Sequence, residues 1–306
     1  MSIKRWVMQP PDKEAAALLA EECELNPFLA LMLVIRGKTD MQSVANFLLE
    51  SDITDDPFAF ADMNIAVDRL QKAIDNHEMI GVYGDYDADG ITATVLLYLY
   101  LREKGADAVY YIPERESEGY GLHNESIDKL HKQGVRLIVT VDNGISAADE
   151  IDYASKLGIE TIVTDHHRPP DELPHAIAVV NPHREDCGSE FKDYAGVGVA
   201  FKLVCAMEGD TEPIFEKYGD LVAIGTLGDV MPLTGENRAL VKAGLQIINH
   251  GGRPGIQALR EVAGLGAREV NSVSAVFSLV PRLNAAGRME SPDAAARLLM
   301  TTQEDI

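Results

Sequence analysis

Short acidic segments in this chain have the composition of metal-binding sites. The first, Gly84-Asp85-Tyr86-Asp87-Ala88-Asp89-Gly90, carries three carboxylates within five residues, and no Lys or Arg lies between Lys72 and Arg102. Carboxylates this close repel one another unless cations balance their charge, and hard oxygen ligands suit a divalent metal. An acidic turn with solvated carboxylates is the alternative interpretation of the segment taken alone.

Three further acidic segments follow it. Val141-Asp142-Asn143-Gly144 comes after the apolar run LIVTV, and by itself it predicts only a turn. Thr164-Asp165-His166-His167 follows ETIVT, and an aspartate with two imidazoles offers the mixed oxygen and nitrogen ligands that transition metals prefer. Asp229, in GTLGDVMPL, lies in an apolar helical context, where terminating a helix is the alternative role.

The elements that must position these residues are strands of a parallel sheet. Apolar runs MIGVYG, AVYYI, RLIVTV, ETIVT and AIAVV alternate with helical patterns, which predicts an α/β fold with a Rossmann-like, doubly wound, mainly parallel sheet. Ligands bind at the carboxyl ends of the strands in such folds. Neighbouring strands lie about 4.8 Å apart, so the acidic segments could share a pair of ions separated by roughly 3.5–4 Å.

Helical patterns lie before and after the sheet segments in the sequence. EAAALLAEE, PFLALMLVIRG and MQSVANFLLE precede it, and YAGVGVAFKLVCAM, DLVAIGTLGDVM, RALVKAGLQIINH and DAAARLLM follow it. We therefore expect an N-terminal helical extension at residues 1–76, a sheet domain at 77–232 and a C-terminal helical region at 233–306.

Composition restricts the class of protein. The 306 residues include 27 Lys and Arg against 49 Asp and Glu, a net charge of −22, which argues against the usual nucleic-acid binder with a basic surface. Cys23, Cys187 and Cys205 have no Cys-x-x-Cys spacing and predict neither a disulfide framework nor a zinc knuckle. No signal-type segment or apolar run of roughly 18 residues is present, so we expect a soluble, cytoplasmic protein without membrane contact.

Taken together, GDYDADG, VDNG, DHH and GTLGDVMPL resemble the ordered motifs of the DHH phosphoesterase superfamily. Two more segments, PERESEGYGL at 113–122 and PRLNAAGR at 281–288, are similar to those of its RecJ family of single-strand-specific exonucleases and are absent from the smaller DHH phosphatases. The resemblance extends from about Met79 to Arg288. It implies a 5′ to 3′ exonuclease that hydrolyses single-stranded DNA to 5′-mononucleotides in DNA repair and recombination, with 77–232 as the DHH catalytic domain.

The resemblance also implies a metal site. Asp142 would bridge two ions and act in catalysis, and His166 would bind the second ion, which favours Mn²⁺ over the alternative Mg²⁺ because His166 is a nitrogen ligand. Many DHH proteins have a histidine at the position of Tyr83, a departure that the RecJ family shares, and Asp85 is the expected substitute. The implied ligands are Asp85, Asp87, Asp89, Asp142, His166 and Asp229.

Residues beside the metals would handle the phosphate. His167 would stabilise charge on the phosphate or donate a proton, or else orient His166 by a hydrogen bond. Asp165 would fix an imidazole or the turn. Guanidinium groups bind phosphate in bidentate fashion, and the implied substrate-binding residues are Arg115, Arg282, Asn284 and Arg288. Nucleic acid would then bind only along a local path of metals and arginines.

Two divalent ions in this site would hold a scissile phosphate, lower the pKa of a water and stabilise charge on the attacking and leaving oxygens. The resemblance implies single-strand-binding protein and a helicase as partners, and a further domain, so we expect the chain to be part of a longer protein. Two alternatives remain: a small-substrate DHH phosphoesterase that cleaves oligoribonucleotides or a nucleotide 3′-phosphate, and a non-catalytic DHH scaffold.

Overall fold

A computed structural model describes residues 10–48, 55–115, 117–289 and 291–302. The chain divides into two compact units between Asp52 and Ile53. The first unit contains α1 (Lys13–Glu22), α2 (Pro27–Ile35) and α3 (Met41–Leu48), packed around Leu19, Ala30, Leu33 and Val44. Asp12 caps α1 and Asn26 caps α2 by accepting backbone N–H groups.

A parallel sheet forms the centre of the second unit. Its strands among the described residues are β1 (Met79–Tyr83), β2 (Ala108–Tyr111), β3 (Val135–Val141), β4 (Glu160–Thr164) and β5 (Ala178–Val180), in the order β2-β1-β3-β4-β5. Sheet growth reverses direction between β1 and β3, which is the position where doubly wound folds bind ligands. Pairing of Tyr83 with Thr140 and of Val141 with Thr164 brings the ends of β1, β3 and β4 to one edge.

Helices cover both faces of the sheet. On one face lie α4 (Met63–Asp75), α5 (Ala88–Glu103) and α8 (Gly196–Glu208), and α9 (Glu212–Gly228) packs on α5 and α8. On the other face lie α6 (Asn124–Lys132) and α7 (Ala148–Lys156). The strands are mainly apolar because both faces of the sheet are buried, and their exposed residues, Arg136 and Glu160, lie near the strand starts. The predicted α/β, doubly wound, parallel fold is confirmed.

The predicted C-terminal helices extend the same core. They are α10 (Gly235–Asn249), α11 (Pro254–Val262), α12 (Ser272–Ser274), the π-helical Ala275–Leu279, α13 (Val280–Met289) and α14 (Pro292–Met300). Leu240, Leu283 and Leu299 are buried in one cluster with the sheet residues Val82 and Val139. Within the described parts of the chain, no helix combines the length and the apolar composition needed to cross a bilayer.

The three-part division at residues 76 and 232 stays a prediction, and the structure differs from it in one respect. Met63 and Leu70 of α4 are fully buried in the large core, and Arg69 of α4 forms ion pairs of 2.6 Å with Glu78 and with Glu160. The second compact unit therefore starts near Ile53 and includes α4, because this helix covers the sheet.

The helices α9 and α10 are in close contact at Gly244. A Cβ atom at Gly244 would lie 2.2 Å from the carbonyl oxygen of Gly219 and 2.6 Å from Cβ of Ala223. We expect Gly244→Ala to force the helices apart and to lower the free energy of unfolding by about 1–3 kcal/mol, measured by urea unfolding. Gln246→Ala, at an exposed position of α10, is the control and should change stability by less than about 0.5 kcal/mol. Equal stabilities of the two variants would contradict the close crossing.

Candidate metal centre

The loop after β1 holds three carboxylates at the N-terminus of α5. Asp87 is the N-cap, and its Oδ1 accepts the N–H groups of Asp89 and Gly90 at 2.9 and 3.0 Å. A Cβ on Gly90 would come within 2.6 Å of Asp85, so this tight turn requires glycine. Asp85 is buried and its Oδ1 has no hydrogen-bond partner. Burial, and then the charge of Asp87, raise the pKa of Asp85 to about 7.

The N-terminus of α8 holds Asp89 from the other side. Its Oδ2 accepts the Gly196 N–H at 2.6 Å and its Oδ1 accepts the Val197 N–H at 2.9 Å. These N–H groups belong to the first turn of a helix and have no intrahelical acceptor. Burial, and then the charge of Asp229, nevertheless raise the pKa of Asp89 well above its usual value. The carboxylate is fixed in place, and its charge needs further compensation.

Asp142 follows β3 with a left-handed backbone, at φ 62°, which aspartate adopts more readily than most residues. Its Oδ1 is buried and lies 3.1 Å from Nε2 of His166, yet neither atom makes a hydrogen bond. A Cβ on Gly196 would lie 2.4 Å from the Asp142 side chain, so α8 approaches it at the van der Waals limit. Burial, and then the charge of Asp89, raise the pKa of Asp142.

Asp165 organises the turn after β4. It is fully buried and accepts the N–H groups of Ile145, His166 and His167 at 3.0, 2.7 and 3.1 Å. Nδ1 of His167 lies 2.7 Å from Asp165 Oδ1. Burial alone would raise the pKa of Asp165, but these hydrogen bonds outweigh burial and hold the pKa below its usual value, while the same contact raises the pKa of His167. Asp165 therefore fixes both the turn and an imidazole.

His166 presents a neutral nitrogen to the carboxylates. Burial lowers the pKa of His166 to about 4, so the imidazole is uncharged near neutral pH. Its Nε2 is buried, has no hydrogen-bond partner among the described residues, and lies 3.7 Å from Oδ2 of Asp229.

Asp229 ends α9 and faces the same space. It is half-buried, and burial, followed by the charge of Asp87, raises its pKa to about 6. Val230, the next residue, is exposed and has φ 58°, a strained backbone for a β-branched side chain. Asp229 terminates its helix, and its carboxylate also faces His166, so its position is compatible with both roles considered for it.

The ligand atoms fall into overlapping groups within which all lie less than 4.8 Å apart: Asp85, Asp87 and Asp142; Asp89, His166 and Asp229; Asp142, His166 and His167. Buried polar atoms nearly always have partners, whereas Oδ1 of Asp85, Oδ1 of Asp142 and Nε2 of His166 have none among the residues that the structure describes. Divalent cations would satisfy these atoms and the crowded negative charge. The structure brings all six predicted ligands together, with His167 beside them.

The predicted phosphate-binding residues lie on two segments near the aspartate loop. The guanidinium of Arg115 lies over the ring of Tyr86 at 4.9 Å. Oδ1 of Asn284 accepts the N–H of Ala88 at 2.7 Å and so ties α13 to the start of α5. Arg282 and Arg288 are exposed on the helix that carries Asn284, and Arg282 donates to the Ser278 carbonyl at 2.6 Å.

The sequence analysis missed Gly196 and Val197, which hold Asp89. The GVGVAF pattern indicates a buried helix, and its glycines were the available signal for close backbone approach. It also missed Tyr120, whose hydroxyl lies 3.3 Å from Nδ1 of His167 and 3.4 Å from the Asp142 carbonyl. Tyr83 stands at the position where many DHH proteins have histidine. It is buried in the core on the face of the sheet covered by α6 and α7, and it donates to the Gly121 carbonyl at 3.1 Å.

Comparison with known proteins gives consistent matches. Residues 79–226 match the family described as DHH family, N-terminal domain. The single-stranded-DNA-specific exonuclease RecJ of Bacillus subtilis is 41% identical over 298 residues, which cover 97% of this chain and 38% of the relative. The Escherichia coli RecJ is 43% identical over 249 residues, which cover 77% of this chain and 43% of the relative.

A solved structure matches as well. The crystal structure of RecJ in complex with Mn²⁺ from Thermus thermophilus has a TM-score of 0.81 at 33% identity and covers 97% of this chain and 42% of the solved chain. The present chain spans 38% and 43% of the length of the two curated relatives.

The pKa shifts predict how the metal-free protein responds to pH. The pKa values of Asp85 and Asp229, about 7 and about 6, exceed their unfolded values, so their stabilising effect is complete at low pH and is lost as pH rises through them. The raised pKa of His167 also makes the free energy of unfolding fall as pH rises. The lowered pKa of His166, about 4, makes it rise with pH, but only below about pH 6.5. We expect the free energy of unfolding to fall as pH rises from about 4 to about 7, by up to about 1.4 kcal/mol per pH unit for each net proton released, because the two carboxyls together outweigh the opposing effect of His166.

Urea unfolding in the presence of EDTA measures this slope. Saturating Mn²⁺ should abolish the fall, and Asp85→Asn should flatten it, because each removes the repulsion between carboxylates. A metal-free profile that is level or rises across this range would contradict the raised pKa values.

Proposed function

We propose that this chain, which belongs to the RecJ exonucleases of the DHH family, is a metal-dependent 5′ to 3′ exonuclease. It hydrolyses single-stranded DNA to 5′-mononucleotides in DNA repair and recombination. The observation that carries the proposal is the pair of three-ligand groups with buried, unpartnered oxygen and nitrogen atoms at the switch point of the sheet. An intact ligand set speaks against a non-catalytic scaffold.

We assign one ion to Asp85, Asp87 and Asp142 and a second to Asp89, His166 and Asp229, as the two groups of ligand atoms suggest. Asp142 would bridge them, which its position 3.1 Å from Nε2 of His166 supports. The imidazole ligand favours Mn²⁺, the metal in the Thermus RecJ structure, with Mg²⁺ as the alternative. Bound divalent ions supply a water of lowered pKa and stabilise charge on the attacking and leaving oxygens.

His167 acts on the phosphate in this proposal. Asp165 accepts its Nδ1–H at 2.7 Å, which leaves Nε2 of a half-exposed ring to face a substrate. The raised pKa favours an imidazolium that can donate to a phosphate oxygen. Orientation of His166 is the other role considered for His167, whose ring centroid lies 4.4 Å from that of His166.

Arg115, Arg282 and Arg288 would bind the phosphates of the strand. Arg115 lies beside the aspartate loop, and the other two are exposed. Asn284 has its amide oxygen on Ala88, so it would position the loop and offer only its Nδ2–H groups to a phosphate. Because the net charge is −22, binding outside this path should be weak. Single-strand-binding protein and a helicase are proposed partners, and free Cys23, Cys187 and Cys205 agree with a cytoplasmic setting.

A nuclease assay tests the function. We expect the purified chain with Mn²⁺ to release 5′-mononucleotides from 5′-phosphorylated single-stranded DNA and to leave blunt duplex DNA largely intact. A form extended to the length of the relatives is assayed in parallel. If both forms leave single-stranded DNA intact, the exonuclease proposal fails. Hydrolysis restricted to dinucleotides or a nucleotide 3′-phosphate would favour the small-substrate alternative.

Asp142→Asn tests the bridging position. Asparagine keeps the shape of the side chain and tolerates the left-handed backbone, so the fold should be retained while the charge is lost. We expect kcat to fall by on the order of 100-fold or more and Mn²⁺ binding, measured by calorimetry, to weaken. Asp152→Asn, at an aspartate on α7 that pairs with the exposed His175, is the control and should leave both quantities unchanged. Near-normal hydrolysis by Asp142→Asn would remove Asp142 from the metal bridge.

A further inference from the structure

A buried polar cluster lies outside the metal ligands. Lys202 is 1% exposed, and its Nζ donates to Oε1 of Glu236 and to the Asp55 carbonyl, each at 2.7 Å. The hydroxyl of Tyr194 contacts Oδ2 of Asp55 at 2.9 Å and also donates to Oε2 of Glu236. These four residues, Asp55, Tyr194, Lys202 and Glu236, are called the Lys202 cluster below.

The cluster holds one end of segment 194–197, and the other side of that segment touches the metal centre at two places. The N–H groups of Gly196 and Val197 hold the two oxygens of Asp89. The Cα of Gly196 is so close to Asp142 that a Cβ there would lie 2.4 Å from its side chain. A displacement of this segment would therefore move or release ligands.

The Lys202 cluster fixes this segment from several directions. The Tyr194 ring is fully buried and packs against Phe60 at 5.4 Å and Phe191 at 4.9 Å. Lys202 lies on α8, the helix that begins at Gly196, so the cluster fastens both the entry to the helix and its second turn. Glu236 lies in the first turn of α10, shortly after Asp229.

The energetics of a buried ion pair favour a positioning role for the Lys202 cluster over a contribution to stability. A buried ion pair adds little to stability compared with apolar residues of similar volume, because both charges lose their hydration. Its directional bonds do fix the geometry of the groups that it joins. Burial, and then the charge of Glu236, hold the pKa of Tyr194 far above its usual value, so its hydroxyl stays a neutral donor.

We propose that Tyr194, Lys202 and Glu236 are positioning residues of the metal centre, which fix segment 194–197 and through it Asp89. This inference rests on the proposed function, because that function assigns Asp89 to one ion together with His166 and Asp229. The ion held by Asp85, Asp87 and Asp142 has only the Asp142 contact with this segment. Loss of the Lys202 cluster should therefore weaken one of the two ions selectively.

Tyr194→Phe tests the inference, since it removes the hydroxyl and keeps the ring. Mn²⁺ titrations followed by the electron paramagnetic resonance signal of free Mn²⁺ give the affinity of each ion without any need for activity. We expect two ions in the wild type, and in the variant a loss of at least about 10-fold in the affinity of one ion, with the other nearly unchanged. Tyr100→Phe is the matched control, because Tyr100 is also buried and donates at 2.7 Å to Glu208, at the opposite end of α8.

The outcomes separate the two proposals. If the wild-type chain binds no Mn²⁺, the proposed function fails and the inference fails with it. If the wild type binds two ions and Tyr194→Phe binds both with wild-type affinity, only the positioning role is overturned. Equal weakening of both ions, or the same weakening in Tyr100→Phe, would show a general loss of stability and would also overturn it.

A second variant tests the inference if the first does not fold. If circular dichroism shows that Tyr194→Phe is unfolded, Glu236→Gln is measured instead, since glutamine keeps the shape and one acceptor oxygen of Glu236. The same selective loss of one ion is expected for Glu236→Gln, and unchanged binding of both ions would overturn the inference.

Discussion

Mutual repulsion among carboxylates at one edge of a parallel sheet is the constraint on which the rest of the structure depends. Asp85, Asp89, Asp142 and Asp229 all have raised pKa values, because burial removes the water that would screen their charges. No single strand could hold such a set. The fold meets the constraint by bringing positive helix ends and backbone N–H groups to the carboxylates and by grouping ligand atoms within 4.8 Å of one another, where cations could bind.

The scaffold divides this work between its elements. The start of α5 holds Asp87 and Asp89, the start of α8 holds Asp89 from the opposite side, and the register of β3 and β4 sets Asp142 beside His166. A helix far from this loop in sequence also contributes: Asn284 ties α13 to the first turn of α5. The metal centre is therefore the meeting point of loops that are distant in sequence, which explains why so much of the helical region shares one core with the sheet.

The net charge of −22 is partly accounted for by this site. Asp85, Asp87, Asp89, Asp142 and Asp229 converge in one cleft, where two divalent ions would offset most of their charge. The remaining excess lies outside the site. The proposed function therefore assigns the attraction for a phosphate backbone to the exposed arginines on α13 and in the 113–122 loop, rather than to a broad basic surface.

Apolar periodicity and turn composition are local properties of the chain, so the strands, the helices around them and the six expected ligands could be predicted from the sequence. Asp165 could also be predicted as a support for an imidazole, since the two are neighbours in the sequence. The grouping of the expected ligands in space, the contact of α8 with Asp89, and the position of Tyr194, Lys202 and Glu236 behind the site come from the tertiary structure alone. Those facts depend on contacts between residues such as Asp89 and Gly196, about a hundred positions apart, which no local pattern reports. The boundary near Ile53 was also a tertiary matter, because α4 has an ordinary amphipathic pattern and only its packing on the sheet assigns it to the second unit.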